Sequence, residues 1–276
     1  MIYIIVPTYG GIEDTKKFIN SIKESINEEY LLILIDDHPE KITFNSIQQN
    51  TSIKVISSDK ELWWVGSINL GIYTLINTYN LNDKDIVVFA NNDIQINKKS
   101  FDTLKYELQK DENQIIHPRT FNQHGIEVSS GAKIVTFFPY ITKHPKKFKK
   151  EKAVVDMGTG RFLMMNGFVL KKVGFINKDL IQYGGDNDFT LSAKRFHSIN
   201  TYVLRDAICS LDDIQTGIKN HNIKTIKELY ESFYSIRSPN SMKYRFILFR
   251  KFFGMIGAFF ITISITINTI VKFIFK

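Results

Sequence analysis

Three short polar clusters hold the side chains of this 276-residue chain best suited to chemistry. Asp36 and Asp37 end the apolar run YLLILIDD. Asn91, Asn92 and Asp93 interrupt VVFANNDIQI (87–96), and Asp186 and Asp188 lie in YGGDNDF (183–189). Carboxylates in such a set can accept hydrogen bonds from a base or ribose, hold a divalent cation, or take a proton from a hydroxyl. Each cluster also has a structural reading. Asp-Asp-His-Pro makes a turn plus a helix cap, Asn-Asn-Asp an Asx-turn, and Asp188 an N-cap. Trp63 and Trp64, the only tryptophans, are either a core ring beside a surface ring or a platform for the apolar face of a sugar or nucleoside.

Several other chemistries are excluded by their missing signatures. There is no G-x-G-x-x-G after the first apolar run and no G-x-x-x-x-G-K-[ST], so dinucleotide redox and P-loop phosphotransfer lack their phosphate-binding turns. The six histidines form no H-E-x-x-H, a G-x-S-x-G elbow is absent, and the single cysteine, Cys209, excludes a disulfide framework and a cysteine zinc site.

The elements that must position these residues alternate in type through residue 110. YIIVPT, YLLILIDD, IKVISS and DIVVFANND read as continuous apolar strands. IEDTKKFINSIKES, SINLGIYTLINTY and KSFDTLKYELQK read as helices between and after them. This predicts an α/β fold whose mostly parallel sheet carries helices on both faces. In such sheets ligands bind beyond the carboxyl ends of the strands, which is where Thr8, Asp36, Asp37, Asn91, Asn92 and Asp93 fall. From about 111 to 205 the pattern is less regular. IIHP, AKIVTF, RFLMMNGFVL and NTYVLRD read as strands and DFTLSAKRFH as a helix, extending the sheet and building the second wall of a cleft. The expected organisation is a first half (1–110), a second half of the same domain (111–240) and a basic, apolar tail (241–276).

Charge and hydropathy concern partners. The net charge of +8 is concentrated in KHPKKFKKEK (143–152) and in Lys243, Arg245, Arg250 and Lys251, which suits solvated loops, an anionic membrane surface or a phosphate-bearing substrate. No nucleic-acid-binding motif accompanies it, so no nucleic-acid partner is expected. The N-terminus reads as the first strand rather than a signal peptide. Residues 252–271 carry no charge and, as a helix of about 1.5 Å per residue, would span about 30 Å, the thickness of a bilayer core. Hydroxyls spread around that helix argue against a surface-lying amphipathic helix. An apolar tail packed on the domain, or an edge strand from ITISITIN, is the alternative.

Six segments in this order, IIVPTYGG, LILIDDHPE, LWWVGSINLGI, VVFANNDI, GTGRFLMMNGFVLKKVGFI and YGGDNDFTLSAKR, resemble the family 2 inverting glycosyltransferases of GT-A fold, bacterial rhamnosyltransferase-like members among them. The likeness covers residues 1–205, with an echo in SIRSPNSMKYRFILFRK. It implies transfer of a sugar from a nucleoside-diphosphate sugar, of dTDP-rhamnose or UDP-hexose type, to a glycan or lipid-linked acceptor in bacterial surface polysaccharide synthesis. It also implies nucleotide-sugar binding for the first half (1–110) and the acceptor and catalytic base for the second (111–240). By the match, Pro7, Thr8, Tyr9 and Asp37 hold the nucleotide. Asp93 is the ligand of a divalent cation (Mn²⁺ or Mg²⁺), with Asn91 where the first acid of D-x-D usually stands. Asp186 becomes the catalytic base, Asp188 a structural or acceptor contact, and Gly185 stands where a glutamate is usual. Gly158, Thr159 and Gly160 line the sugar and acceptor site, Trp64 packs on the donor, and Asn69 and Gly71 match an N-x-G helix start. With a basic flank on the apolar segment, the resemblance places the protein at the cytoplasmic face of the inner membrane, peripheral or anchored. Other functions compatible with the residues are a sugar-1-phosphate nucleotidyltransferase, whose glycine-rich basic loop PTYGGIEDTKK lacks, and a non-catalytic membrane-tethered glycan-binding protein.

Overall fold

A computed structural model describes residues 1–145, 148, 150–211 and 223–275. Of the lysine-rich loop, Lys146, Lys147 and Lys149 lie outside the described residues. The first half alternates as its apolar runs require: β1 (Ile2–Thr8), α1 (Ile12–Ser25), β2 (Tyr30–Asp36), α2 (Ile42–Ser46), β3 (Ile53–Ser57), α3 (Trp63–Asn77), β4 (Ile86–Ala90), β5 (Ile94–Ile96) and α4 (Lys98–Lys110). The second half adds β6 (Gln114–Asn122), β7 (Glu127–Ser129), β8 (Lys133–Phe137), β9 (Tyr140–Lys143), β10 (Lys152–Val155), β11 (Phe162–Asn166), α5 (Gly167–Val173), α6 (Gly185–His197), β12 (Asn200–Leu211), α7 (Ile226–Tyr234) and α8 (Met242–Ile274).

The main sheet runs β10-β12-β6-β11-β4-β1-β2-β3. Strands β4, β1, β2 and β3 are parallel, β11 inserts antiparallel between β4 and β6, and β12 returns parallel to β6. The period-two alternation of β1 divides the core between two layers. Tyr3 and Ile5 join the side that holds α3 and the first half of α8, whereas Ile2, Ile4 and Val6 join the side that holds α1 and α4. The mostly parallel sheet between helices is therefore as expected.

Three local expectations are corrected. RFLMMNGFVL is a strand only to Asn166. There the Gly167 N–H donates to Asp85 O at 2.7 Å and the Phe168 N–H to Asp83 O at 3.0 Å, turning the chain into α5. AKIVTF does not extend the main sheet; it pairs with β9 in a separate two-stranded hairpin. ITISITIN is helical, because the period-two pattern lies inside α8.

Helix α8 is long and apolar enough to cross a membrane by length and composition. It is broken at Gly254, whose φ of 69° lies in the left-handed region that favours glycine. Before the break, Tyr244, Leu248, Phe249 and Phe252 are buried in the core. After it, Ala258, Ile261, Thr262 and Thr269 are buried against the domain while Ile256, Phe259, Phe260, Ile267, Val271 and Ile274 are exposed. The hydroxyl distribution was therefore a poor guide. Thr262 and Thr269 face inward, and Ser264 Oγ accepts the Tyr140 N–H of the hairpin at 2.8 Å.

Candidate active site

The carboxyl ends of β1, β2 and β4 open into a cavity of about 530 Å³ lined by Pro7, Thr8, Tyr9, Asp37, Trp63, Trp64, Asn91, Asn92 and Asp93 among others. Of the polar residues expected at the strand ends, Thr8, Asp37, Asn91, Asn92 and Asp93 line it, whereas Asp36 is fully buried with both oxygens taken by the His38 and Phe44 N–H groups. Their bonding, however, separates them. Asp37 accepts the Leu62 and Trp63 N–H groups, one on each carboxylate oxygen, at 2.6 Å apiece. It fixes the start of α3, where Trp63 has a φ of 56°, a costly conformation for so large a side chain. Burial pushes the Asp37 carboxyl up, and those two N–H groups oppose it. Asn92 ties the turn after β4 to α1, its amide donating to Thr15 Oγ1 at 2.9 Å. The Trp64 Nε1–H donates to Asn91 Oδ1 at 3.0 Å, so the indole and the amide that stands in for an acid hold each other.

Asp93 differs from all of these. Its Oδ1 is buried with no hydrogen-bond partner. Burial pushes its carboxyl up, countered by the charge of Arg161, its own N–H and a hydrogen bond from Asn91, while Asp14 adds to the rise. Arg161 has a matching deficit, since its Nη1 is also buried and unpartnered. Among the described residues no group of three or more His, Cys, Asp and Glu side chains converges to hold a metal. One carboxylate with a free oxygen still fits a hard cation such as Mg²⁺ or Mn²⁺ that takes its remaining ligands from phosphate oxygens and water.

Asp186 lies across the cleft in the first turn of α6 and lines a second cavity of about 410 Å³ with Gly158, Thr159, Asn187, Tyr244, Arg245 and others. Tyr183 is on the wall of both cavities. The Gly160 N–H donates to Asp186 Oδ2 at 3.1 Å and the Asn187 N–H to Oδ1 at 2.8 Å. Burial pushes the Asp186 carboxyl up, opposed by these two N–H groups and by the charge of Arg161. A carboxylate raised in this way is a better proton acceptor near neutral pH. Gly160 and Gly185 are small for steric reasons. A side chain on Gly160 would strike the Trp64 ring, and a Cβ on Gly185 would stand 2.6 Å from Val65 Cγ2, which leaves no room for an acid before Asp186.

Asp188 and Asn69 are both engaged by the fold, Asp188 in the structural role that is one of the two expected of it. Asp188 is 1% exposed, accepts the Asn177 N–H at 3.0 Å and pairs with Lys251 at 2.8 Å, so its carboxylate is occupied in locking α6 to α8. Asn69 exchanges two hydrogen bonds with the Ile176 backbone at 2.9 Å each, joining α3 to the segment after α5. Sequence reasoning passed over Arg161, Arg237, Gln182, Tyr183 and Asp14. Arg161 is the last residue of MGTGR and was readable there as a cation following a glycine-rich turn. Arg237, 5.7 Å from the Trp63 ring, reaches the first cavity from the segment after α7, which no local pattern pairs with β1.

The comparisons with known proteins agree with this geometry. The model of the family described as glycosyl transferase family 2 matches residues 3–174. The low-salt glycan biosynthesis hexosyltransferase Agl10 of Haloferax volcanii is 27% identical over 195 residues, covering 70% of this chain and 61% of that protein, so the chain spans less than two thirds of that relative. Among solved structures, GalNAc-T7 with UDP, GalNAc and Mn²⁺ superposes with a TM-score of 0.59 at 12% identity, over 77% of this chain and 43% of that one. TarS 1–349 of S. aureus gives 0.51 at 14% identity over 91% and 72%, and the same fragment has been solved with UDP. These likenesses establish the GT-A fold.

Proposed function

The chain belongs to glycosyltransferase family 2, and from that premise we propose that it is an inverting, metal-assisted transferase moving a hexosyl group from a nucleoside-diphosphate sugar to a glycan hydroxyl. The observation that carries this is that Asp93, with its free buried oxygen, lines the first cavity and Asp186, with its raised carboxyl, lines the adjoining second one, with Tyr183 on the wall of both and the charge of Arg161 acting on both carboxyls. A UDP-hexose is favoured over dTDP-rhamnose because one relative is named a hexosyltransferase and UDP is bound in two of the structural neighbours.

In this proposal Pro7, Thr8 and Tyr9 border the nucleotide, Trp64 packs on the donor, and Asp37 works indirectly by fixing the turn at Trp63. Asp93 would hold the cation, which when bound neutralises charge on the leaving diphosphate. Arg161 and Arg237 add fixed positive charge on the same side. The acceptor hydroxyl enters from the second cavity, where Asp186 takes its proton as the oxygen attacks the anomeric carbon and the bond to the diphosphate breaks.

The proposal includes membrane association at the face where nucleotide sugars are held, with a lipid-linked or surface glycan as acceptor. It is supported by the exposed apolar side of α8 beyond Gly254, by Phe137 and Phe138 beside it, and by the absence of any acid between 242 and 275. The donor side is then built mostly from 1–110 with Gln182, Tyr183 and Arg237 added, and the acceptor side from 111–240 together with α8. The test is release of nucleoside diphosphate from a panel of nucleotide-sugars, with and without Mn²⁺. Turnover of a UDP-hexose that rises with Mn²⁺ is the expected result, and no turnover across the panel would overturn the proposal.

A further inference from the structure

The cavity that holds Asp186 contains polar groups that the transfer chemistry does not use. Ser241 and Arg245 both line it, one turn apart at the start of α8, with the Arg245 N–H donating to Ser241 O at 3.1 Å. Ser241 is 1% exposed, yet its hydroxyl has no hydrogen-bond partner and makes no cap bond to the helix. Arg245 donates through Nη2 to Asn240 Oδ1 at 2.8 Å, while its Nη1 is buried without a partner. No ion pair joins Arg245 to an acid among the described residues, and burial pulls its guanidinium down to about 10.

A buried, unpaired guanidinium is costly, and a hydroxyl with no acceptor adds to that cost. Both groups sit where the first-turn N–H groups of α8 have no intrahelical partners and the helix dipole favours negative charge. The shared remedy is an oxyanion, because its oxygens can meet the guanidinium edge, the hydroxyl and the main-chain N–H groups together. This cavity shares only Tyr183 with the donor cavity, so the anion is not the donor's diphosphate.

Given the transfer proposed above, on which this inference rests, we infer that Ser241, Arg245 and the first turn of α8 form a subsite for a phosphate carried by the acceptor. That phosphate is set apart from the hydroxyl that Asp186 deprotonates. Two sources share this chemistry, a phosphate on the glycan itself and a phosphate joining the glycan to a lipid. Leu248, Phe249 and Ile265 on the same wall would meet the chain of the second.

The experiment titrates the full-length protein with inorganic phosphate, glucose 1-phosphate and dodecyl phosphate by calorimetry, without nucleotide, beside Arg245→Gln and Ser241→Ala. Binding should weaken about tenfold or more in Arg245→Gln and about threefold in Ser241→Ala. Ser241→Ala removes only an unpartnered hydroxyl, so it keeps the test decisive if Arg245→Gln does not fold. Tighter binding of dodecyl phosphate assigns the lipid linkage and tighter binding of glucose 1-phosphate the glycan phosphate; both support the subsite if they depend on Arg245. Equal affinity in wild type and both variants, or no binding by wild type, overturns it. Donor turnover is scored separately: lost Arg245-dependent binding with intact turnover rejects this subsite alone, and the reverse rejects the transferase proposal.

Discussion

The end of β2 and the end of β4 look alike in the sequence, each an apolar strand running into acids and amides, yet they are bonded in opposite ways. Asp36 accepts the His38 N–H at 3.1 Å and the Phe44 N–H at 2.8 Å, and Asp37 accepts two more, so all four oxygens of the β2 pair are taken by backbone. At β4, Asp93 keeps a buried oxygen with nothing to bond, and Arg161 nearby keeps a buried nitrogen in the same condition. Buried polar atoms are almost always paired, so the exceptions point to where a ligand completes the bonding. The β2 acids build the wall; the β4 acid faces what the wall encloses.

Asp186 is bonded like the β2 acids, with one backbone N–H on each oxygen, yet it lines the second cavity with its carboxyl raised by burial, and its removal should have the largest effect. Asp186→Asn should lower kcat about a thousandfold while UDP affinity, read by calorimetry, stays near wild type. The pH profile sharpens the point. Because burial raises the Asp186 carboxyl, the acid limb of kcat/KM should lie above the ordinary carboxylate range, with activity lost as pH falls through the raised value. Protonation of this group favours the folded state, so its contribution to stability rises over the same fall in pH. Inactivation should therefore precede acid unfolding in parallel activity and circular dichroism measurements.

Asp93→Asn should reduce kcat/KM about a hundredfold and remove any stimulation by Mn²⁺. Its thermal midpoint should fall only slightly, because removing an incompletely paired buried carboxylate offsets part of the cost of leaving Arg161 without that counter-charge. Asp37→Asn tests the other side of the comparison. It leaves an N–H at the start of α3 without its charged acceptor, and chemical denaturation should show a loss of about 1–3 kcal/mol. The comparison breaks if the two variants exchange behaviours, with Asp37→Asn stable but inactive and Asp93→Asn unstable but active. The smallest effect is expected from Trp64→Phe, which keeps a ring beside Gly160 but loses the bond to Asn91. Donor KM should rise about fivefold, equivalent to about 1 kcal/mol.

Much of this was legible in the chain. The apolar runs of β1, β2, β3 and β4 and the helical spacing of α1 and α4 gave a parallel sheet, and the polar residues after those runs gave its ligand edge. Residues that meet through tertiary packing were not legible. Asp188 looks as available as Asp186 until Lys251, 63 positions later, is seen against it. Asn69 reads as a donor contact until the Ile176 backbone takes both ends of its amide. Arg237 reaches the first cavity and Ser241 and Arg245 the second only through the packing of α8 and the segment before it against the domain, which no periodicity encodes. The α5 turn is hidden because MMNGFVL is apolar on both sides of Asn166-Gly167, and periodicity does not separate a buried strand from a short buried helix.

The packing of α8 also orders events during synthesis. Ribosomes deliver a chain from its N-terminus, and the sheet with its donor edge can assemble first. The second cavity lacks a wall until residues 238–249 and Ile265 have emerged, and Asp188 lacks its counter-ion until Lys251 has done so. Those residues are continuous with the exposed apolar side of α8. The nascent protein therefore completes the second cavity in the same interval in which it presents that surface, so unfinished chains lack one wall of that cavity.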